Sequence, residues 1–373
     1  MKDTILFGDC KETLSEFLPQ SARTCVTSPP YYGLRDYGTA TWIGGDPNCN
    51  HRRDSKVKAE NCNTGHKNHD EMYGVGDAIY KTVCPKCGAI RQDSQIGLEE
   101  TPEEYIENLV NVFRSVRDVL TDDGTLWVNL GDSYYNYRPG KGQSYPKQSV
   151  SKTKQDLPDE CNKRGNKLDG LKEKDLIGIP WLFAFAMRND GWYLRQDIIW
   201  HKPNPMPESV RDRCTKSHEY IFLFSKNRKY HYDNEAIKEP AKDWGTRDRT
   251  NGKYHNEGTG LQPHSGLTKS YPTKNKRSVW SVTVKPYKEA HFATYPPDLI
   301  EPCILAGSEE GDTVLDPFMG AGTTAAVAKS LNRHYIGCEL NEDYGNLIQK
   351  RIQDYQPVNK VAQEPCINIL DII

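Results

Sequence analysis

Residues Thr313–Thr324 read TVLDPFMGAGTT, a short apolar run that ends in an acid and passes directly into a glycine-containing turn. An Ala-rich segment with the composition of a helix follows, and a second apolar run, Tyr335–Glu339, again ends in an acid. This order of strand, turn, helix and strand predicts a βαβ unit of an α/β fold. The glycines permit close approach of a ligand, and the second acid can accept hydrogen bonds from two ribose hydroxyls. The unit therefore predicts a site for a nucleoside-containing ligand, whereas a phosphate-binding loop would end in Gly-Lys-Ser/Thr.

Strand and helix patterns also alternate through the rest of the chain. Asp122–Gly124 predicts a turn that leads into a strand over Thr125–Leu130. The alternation predicts an α/β fold with a doubly wound, mixed sheet. The other predicted elements are strands over Thr4–Phe7 and Thr24–Val26, a helix over Lys11–Phe17, a helix capped by Thr101–Glu104 that extends to Leu120, and a helix and a strand within Ile177–Trp200.

A second motif, Thr27–Gly38 (TSPPYYGLRDYG), follows the predicted strand that ends at Val26. Its two prolines prevent the strand from continuing and fix a rigid turn. A backbone carbonyl in this turn stays available as an acceptor beside the hydroxyl of Ser28, and aromatic rings adjoin it. The motif predicts a site that clamps an exposed base, with a proline-rich surface turn as the alternative interpretation.

The charge distribution limits how an anionic partner can be held. The 373 residues include 49 Lys and Arg against 51 Asp and Glu, a net charge of −2, so only a local basic surface would attract such a partner. Residues 137–174 carry 10 basic and 5 acidic side chains, and residues 226–288 carry 14 and 6. The second stretch also contains interspersed Tyr and Trp, which suit phosphates and exposed bases. We expect DNA contacts there, although a solvated charged loop is the alternative.

The distribution of apolar residues favours neither export nor insertion into a membrane. Met1–Asp9 lacks a basic segment followed by an apolar one, and the longest largely apolar run, Ile177–Met187, is too short to span a bilayer. We therefore expect a cytoplasmic protein. In that reducing environment its eleven cysteines are expected to remain thiols or to bind metal.

A polar insertion between residues 46 and 94 carries a candidate zinc site. Cys84-Pro85-Lys86-Cys87 is a knuckle that can place two thiolates on one tetrahedral ion, and Cys49 and His51 are the candidate second pair. A structural zinc would allow so polar a segment to fold. The alternatives for the second pair are Cys62, His66 and His69, and the alternative for the knuckle is a pair of free thiols.

Taken together, the motifs resemble those of the permuted, beta-type S-adenosylmethionine-dependent DNA amino-methyltransferases, in which the catalytic motif precedes the cofactor motif. Asp316–Gly322 resembles the cofactor loop of that family, Glu339 its ribose-binding acid, and Ser28-Pro29-Pro30-Tyr31 its catalytic tetrapeptide in the Ser variant. The resemblance spans nearly the whole chain. Further similar segments are Gly8–Cys10, Arg195–Pro205, Thr215–Tyr220 and His291–Pro297.

The resemblance implies a site-specific DNA methyltransferase that acts on the exocyclic amine of a base flipped out of double-stranded DNA. The hydroxyl of Ser28 and the carbonyl of Pro29 would accept the amine hydrogens, and Tyr31 would stack on the base. In this family Ser at the first position of the tetrapeptide, here Ser28, favours methylation of cytosine N4, with adenine N6 as the alternative target. The implied catalytic residues are Ser28, Pro29, Pro30 and Tyr31, and the implied cofactor-binding residues are Asp9, Thr27, Asp316, Pro317, Phe318, Gly320, Gly322, Thr323 and Glu339.

Two other protein classes account for part of the pattern. A dinucleotide-dependent dehydrogenase explains the glycine turn but gives Ser28–Tyr32 no role, and a non-catalytic zinc-containing DNA-binding protein leaves both pocket motifs without one. The sequence does not decide whether the protein acts together with a restriction endonuclease that recognises the same site. The predicted segments are a first catalytic part (1–45), the zinc insertion (46–94), the catalytic continuation (95–225), the target-recognition segment (226–288), the cofactor-binding part (289–358) and a tail (359–373).

Overall fold

The computed structural model describes residues 2–33, 39–51, 80, 83–135, 168–241, 272–285 and 294–356. Its strands are β1 (Thr4–Phe7), β2 (Ala22–Thr27), β3 (Thr41–Ile43), β4 (Ile90–Gln92), β5 (Leu120–Leu130), β6 (Tyr193–His201), β7 (His218–Ser225), β8 (Glu239–Pro240), β9 (Thr273–Lys274), β10 (Val279–Ser281), β11 (Thr313–Asp316) and β12 (His334–Glu339). Its α-helices are α1 (Cys10–Thr13), α2 (Pro102–Val119), α3 (Ile179–Asn189), α4 (Pro297–Gly307), α5 (Thr323–Ser330) and α6 (Gly345–Asp354).

Eight strands form one central sheet in the order β1-β12-β11-β2-β5-β7-β6-β10. Only the two pairings of β7, with β5 and with β6, are antiparallel, and every other pairing in this sheet is parallel. The structure thus confirms a mixed α/β fold with a mostly parallel sheet. The described strands outside it form two short pairs, β3 with β4 and β8 with β9.

Helices cover both faces of the central sheet, which explains why its inner strands are apolar almost throughout. On one face, α2 and α3 pack together, with the rings of Phe113 and Phe183 5.5 Å apart. The helices α4, α5 and α6 bury their apolar side chains on the other face. The start of α2 follows the predicted cap, since the hydroxyl of Thr101 accepts a hydrogen bond from the backbone N–H of Glu104.

Two predicted elements differ from the structure. The helix expected over Lys11–Phe17 divides into α1 and a 3₁₀ turn over Leu14–Glu16. The expected start of a strand at Thr125 is also wrong, because β5 already begins at Leu120. Its register against β2 jumps from the Ala22–Leu120 pair to the Thr24–Thr125 pair, so the predicted turn is a bulge inside the strand.

The basic stretches are described only in part. Residues 137–167, 242–271 and 286–288, and the tail 359–373, lie outside the described residues. The described part of the second stretch contributes β10, which extends the central sheet beside β6. Among the helices that the structure describes, none has the length and apolar character needed to cross a bilayer.

Candidate functional site

The carboxyl ends of β1, β2, β5, β11 and β12 open into one cavity of about 600 Å³. This is where α/β sheets place their ligands, because the loops after parallel strands gather at the same edge. The volume suits a ligand of the size of a nucleoside-containing cofactor. The predicted site residues that line it are Asp9, Ser28, Pro29, Pro30, Tyr31, Pro317, Phe318, Gly320, Thr323 and Glu339.

The proline turn after β2 is held in place by contacts on both sides. The hydroxyl of Tyr105 donates a 2.8 Å hydrogen bond to the carbonyl of Pro30. The carbonyl of Pro29 accepts no hydrogen bond from the described part of the chain. Within the described ranges, the carbonyl predicted as an acceptor beside the Ser28 hydroxyl is therefore not engaged.

The ring of Tyr31 lies against the end of β5. A Cβ atom at Gly131 would be 2.5 Å from Cε2 of this ring, so only glycine permits the contact. The Tyr31 hydroxyl lies 2.8 Å from Oε2 of Glu219 and 3.1 Å from Oδ1 of Asn129. Burial, followed by the negative charge of Glu219, raises the pKa of Tyr31 well above its ordinary value, so this hydroxyl remains a donor.

Asn129 joins this tyrosine to Ser28. Its Nδ2 donates to the carbonyl of Tyr220 at 3.1 Å and to Oε2 of Glu219 at 3.3 Å, which fixes the orientation of the carboxamide. Oδ1 therefore faces the proline turn, where the Ser28 hydroxyl lies 3.5 Å away. Glu219 is in turn paired with Lys202, and both side chains are mostly buried.

Sequence reasoning assigned no role to Asn129, Lys202 or Glu219. One local signal existed, since Asn129 is a polar residue at the carboxyl end of the otherwise apolar strand β5 and is only 4% exposed. Glu219 and Lys202 come from β7 and the end of β6. Their meeting with the proline turn depends on the strand order, which the sequence does not display.

Asp316 ends β11 and is buried, with no share in the cavity wall. Oδ1 accepts from the hydroxyl of Thr27 at 2.6 Å and from the N–H of Phe318 at 3.0 Å. Oδ2 accepts from the hydroxyls of Thr324 at 2.5 Å and Tyr295 at 3.2 Å. Burial raises the pKa of Asp316, while these four donors oppose that shift. Asp316 is therefore held inside the loop by four donors and does not line the cavity.

Thr27 and Gly322 also stay away from the cavity surface. The hydroxyl of Thr27 is occupied by Asp316. Gly322 precedes α5 with φ at +79°, and a Cβ there would lie 2.8 Å from a methyl carbon of Ile348. These two residues build the loops, and their neighbours line the cavity.

Glu339 lies at the cavity wall at the end of β12, almost wholly buried. Its Oε2 accepts from the N–H of Gly320 at 2.7 Å, and its Oε1 accepts from the N–H of Asn341 at 2.9 Å. Burial raises the pKa of Glu339 to about 7, against the lowering effect of the two backbone donors. A buried carboxylate with unused lone pairs beside a cavity suits ribose hydroxyls.

Asp9 lies at the same wall, just after β1. Its Oδ1 accepts from the N–H of Lys11 at 2.9 Å, which caps α1. The preceding Gly8 donates from its backbone N–H to the carbonyl of Glu339 at 2.9 Å. The two acids predicted to face a nucleoside are thus fixed relative to each other by the pairing of β1 with β12.

A second cluster lies in the polar insertion. Cys49, His51, Cys84 and Cys87 offer ligand atoms that all lie within 4.8 Å of one another. The Sγ atoms of Cys49 and Cys84 are 3.7 Å apart, and Sγ of Cys87 is 3.6 Å from Nδ1 of His51. Tetrahedral zinc with Zn–S of about 2.3 Å and Zn–N of about 2.0–2.1 Å requires S–S and S–N edges of about 3.8 and 3.6 Å. The cluster therefore has the dimensions of a zinc site.

The surroundings of this cluster hold its ligands in place. The ring of Trp42 stacks on His51 with centroids 4.2 Å apart. Strand β4, near the end of the insertion, pairs antiparallel with β3, which precedes the insertion. A Cβ at Gly45 would lie 2.8 Å from Sγ of Cys87. The competing candidates Cys62, His66 and His69 lie outside the described residues.

Comparisons with known proteins match the chain over most of its length. The sequence model of a DNA methylase family, the N6/N4 methylases, matches residues 22–350. The chain is 40% identical over 353 residues to the type II methyltransferase M.SmaI of Serratia marcescens, covering 93% of this chain and 90% of that protein. It is 39% identical over 350 residues to the type II methyltransferase M.XycI of Xanthomonas campestris pv. cyanopsidis, covering 94% and 87%.

Among solved structures, the PvuII DNA methyltransferase, described as cytosine-N4-specific, superposes with a TM-score of 0.54. The match covers 95% of this chain and 88% of that one at 16% sequence identity. At such an identity the superposition supports the methyltransferase type of fold and nothing more specific.

Proposed function

The chain belongs to the N6/N4 DNA methylase family, and from this premise we propose that it transfers a methyl group from S-adenosylmethionine to the N4 amine of cytosine in double-stranded DNA. One observation carries the proposal: the loops after β2 and β11 open into the same cavity. These strands are neighbours, with Cys25 paired to Leu315. The catalytic tetrapeptide and the cofactor loop thus meet although about 290 residues separate them in sequence.

The donors and acceptors around the cavity fit the cofactor. Glu339 is the candidate for the ribose hydroxyls, Asp9 for the adenine amine, and the loop Pro317–Ala321 for the remaining contacts. When bound, S-adenosylmethionine supplies a methyl group on a positively charged sulfur, which is an activated leaving group. The chain's own contribution is to hold both reactants in line, and such positioning supplies most of the acceleration in reactions of this kind.

The acceptor side must draw the lone pair of an exocyclic amine out of conjugation with the base ring. Two acceptors at its N–H bonds achieve this, and Ser28 and Pro29 offer a hydroxyl oxygen and an unused carbonyl. A hydroxyl can also donate, and Asn129 Oδ1, 3.5 Å from the Ser28 oxygen, is the candidate acceptor for its hydrogen. With the hydrogen directed at Asn129, the Ser28 oxygen would keep lone pairs for the amine. No covalent enzyme intermediate is needed.

The base assignment rests on Ser28, the residue that the resemblance associates with cytosine. Adenine N6 is the second candidate, because a carboxylate or a hydroxyl can accept from either amine. The remaining walls of the base pocket include Lys202, Lys216 and Glu219. The basic stretch 226–288 is our candidate for reading the target sequence.

Methyl transfer is tested with duplex DNA of varied sequence and S-adenosylmethionine labelled on the methyl group. The wild-type chain should incorporate label into DNA. Ser28→Ala should bind S-adenosylmethionine as the wild type does, yet incorporate almost no label. A binding-only protein would show no incorporation with either chain, and equal incorporation by both would remove Ser28 from the reaction.

We further propose that Cys49, His51, Cys84 and Cys87 bind one structural zinc ion. The support is the match between their spacings and a tetrahedral site. Four protein ligands leave no open position, so the ion would stabilise the insertion and take no part in methyl transfer. Metal analysis of the purified protein should give one zinc per chain, and Cys84→Ser should reduce that content sharply.

A further inference from the structure

The connection between β6 and β7 carries an unusually exposed apolar side chain. Met206 is 86% exposed, the highest value among the large hydrophobic side chains that the structure describes. It stands between Pro205 and Pro207, and all three belong to the lining of the cavity that contains Ser28. Single exposed apolar side chains are common on protein surfaces, so the distinguishing feature of Met206 is its place between two prolines in the cavity lining.

The backbone on either side of Met206 is fixed. Asn204 exchanges two hydrogen bonds with Val284, of 3.1 Å from Nδ2 and 2.9 Å to Oδ1. On the other side, Glu208 accepts from Arg213 at 2.6 Å. The N–H of Lys202 donates to the carbonyl of Ser217 at 2.8 Å and closes the base of the connection.

Two prolines and these anchors leave the Pro205–Pro207 tip with little conformational freedom. An exposed methionine on a mobile loop could turn inward, but this one is presented outward. The Pro205–Pro207 tip is therefore already ordered before a partner binds, which reduces the conformational entropy lost on binding.

The charge around the tip suits a polyanion. Lys216 lies at the cavity wall, and its ammonium group donates to the backbone carbonyl of Asp132 at 3.0 Å. Arg211 is exposed in the same connection. Neither forms an ion pair with a side chain in the described ranges. Proteins that insert an apolar wedge between base steps combine such a side chain with cations of this kind.

We propose that Met206 enters the duplex beside the target and fills the space that the flipped base leaves. This inference rests on the proposed function, since it assigns a partner surface to the same site. The thioether is polarisable and unbranched, so it can pack between base rings of differing shape. The stacking that the duplex loses on flipping is partly replaced, which raises the population of the flipped state.

The test uses single-turnover methylation of two duplexes that contain a site which the wild type methylates. One duplex is fully paired, and the other has an abasic position opposite the target base. Met206→Ala should slow methylation of the paired duplex by about tenfold or more, because flipping is then less favourable. On the abasic duplex, where the target is already unpaired, the variant should match the wild type. Met206→Leu should retain most of the wild-type rate on both.

Leu18→Ala is the matched control, since Leu18 is 65% exposed and does not line the cavity. Its rates should equal those of the wild type. Equal rates of Met206→Ala and wild type on the paired duplex would overturn the inference, and so would an equal loss on both duplexes, which would indicate a general binding defect. Failure of the wild type to methylate any duplex would instead contradict the proposed function.

Discussion

The hydroxyl of Thr27 donates a 2.6 Å hydrogen bond to Oδ1 of Asp316. This bond joins the last residue of β2 to the last residue of β11, the two strands that carry the proposed catalytic and cofactor loops. Both partners are buried, at 1% exposure each. The two loops are therefore fixed to each other through a buried charge-assisted bond whose partners do not line the cavity.

Loss of the Asp316 carboxylate should disrupt the cofactor loop. Asp316→Ala removes the acceptor of four donors, among them the N–H of Phe318 in the cavity wall. We expect S-adenosylmethionine affinity to fall by about 100-fold or more, since several buried donors lose their partner. Isothermal titration calorimetry measures this. An unchanged affinity would contradict the role of Asp316 as an anchor.

A substitution at Thr27 removes only one of the four donors to Asp316 and should have a smaller effect. Thr27→Val keeps the side-chain shape but removes the donor, and we expect it to lower the free energy of unfolding by about 1.5–3 kcal/mol. Thr27→Ser retains the hydroxyl and should stay close to the wild type. Urea denaturation of the three chains compares them directly, and identical midpoints for all three would show that the bond is dispensable.

Asn129 should act on methyl transfer and leave cofactor binding alone. Asn129→Leu removes the acceptor of the Ser28 hydroxyl hydrogen, so the serine becomes free to donate in the wrong direction. We expect kcat to fall by about 10-fold to 100-fold, the range typical of a lost positioning contact. Affinity for S-adenosylmethionine should not change. A variant that weakens cofactor binding and spares kcat would exclude this role.

Cofactor affinity should depend on pH through Glu339. Its pKa is raised to about 7 by burial, so it is largely protonated at pH 6 and largely ionised at pH 8. Only the carboxylate accepts hydrogen bonds with both oxygens, so affinity should increase about tenfold from pH 6 to pH 8. Calorimetric titrations at the two pH values measure the ratio. Glu339→Gln should bind weakly and show no such dependence.

The same shift predicts the opposite trend for the stability of the ligand-free protein. A raised pKa means that the folded state binds the proton more tightly than the unfolded state does. The contribution of Glu339 is therefore fully present below the usual glutamate range and decreases as the pH rises through about 7. Thermal unfolding of wild type and Glu339→Gln across this window separates this group from all others.

Removal of the proposed zinc should destabilise the insertion without altering the chemistry. Chelation leaves all four side chains, and Cys84→Ser the remaining three, without their common ion, so the melting temperature should decrease. Methyl transfer by the folded protein at low temperature should persist. Cys214→Ser is the control, since Cys214 is exposed and stands outside the cluster. A protein without zinc that melts at the wild-type temperature would contradict the proposal.

The sequence predicted the parts of the site that lie within single loops. Ser28–Tyr31 and Pro317–Gly320 directly follow buried strands, so their local order already indicates a position at the ligand-binding edge of the sheet. It did not predict the partners that arrive from elsewhere in the sheet. Glu219 meets Tyr31 only because β7 pairs antiparallel with β5, and no local pattern encodes that pairing.

The burial of Thr27, Asp316 and Gly322 marks a second limit of sequence reasoning. A loop motif identifies a ligand-binding turn, but it does not distinguish the residues that face the ligand from those that shape the turn. That distinction depends on packing against other elements, such as the contact of Gly322 with Ile348 of α6. The bulge in β5 also depends on another element, because Arg23 on β2 forms an ion pair with Asp123 and holds the extra residues of β5 in place.

The most direct test of the central claim is the identity of the methylated nucleoside. Duplex DNA incubated with the purified protein and S-adenosylmethionine is digested to nucleosides and analysed by mass spectrometry. We predict N4-methylcytosine from the wild type and none from Ser28→Ala. N6-methyladenine would preserve the mechanism and contradict the assignment of cytosine to Ser28. The absence of any methylated nucleoside on DNA of varied sequence would contradict the account as a whole.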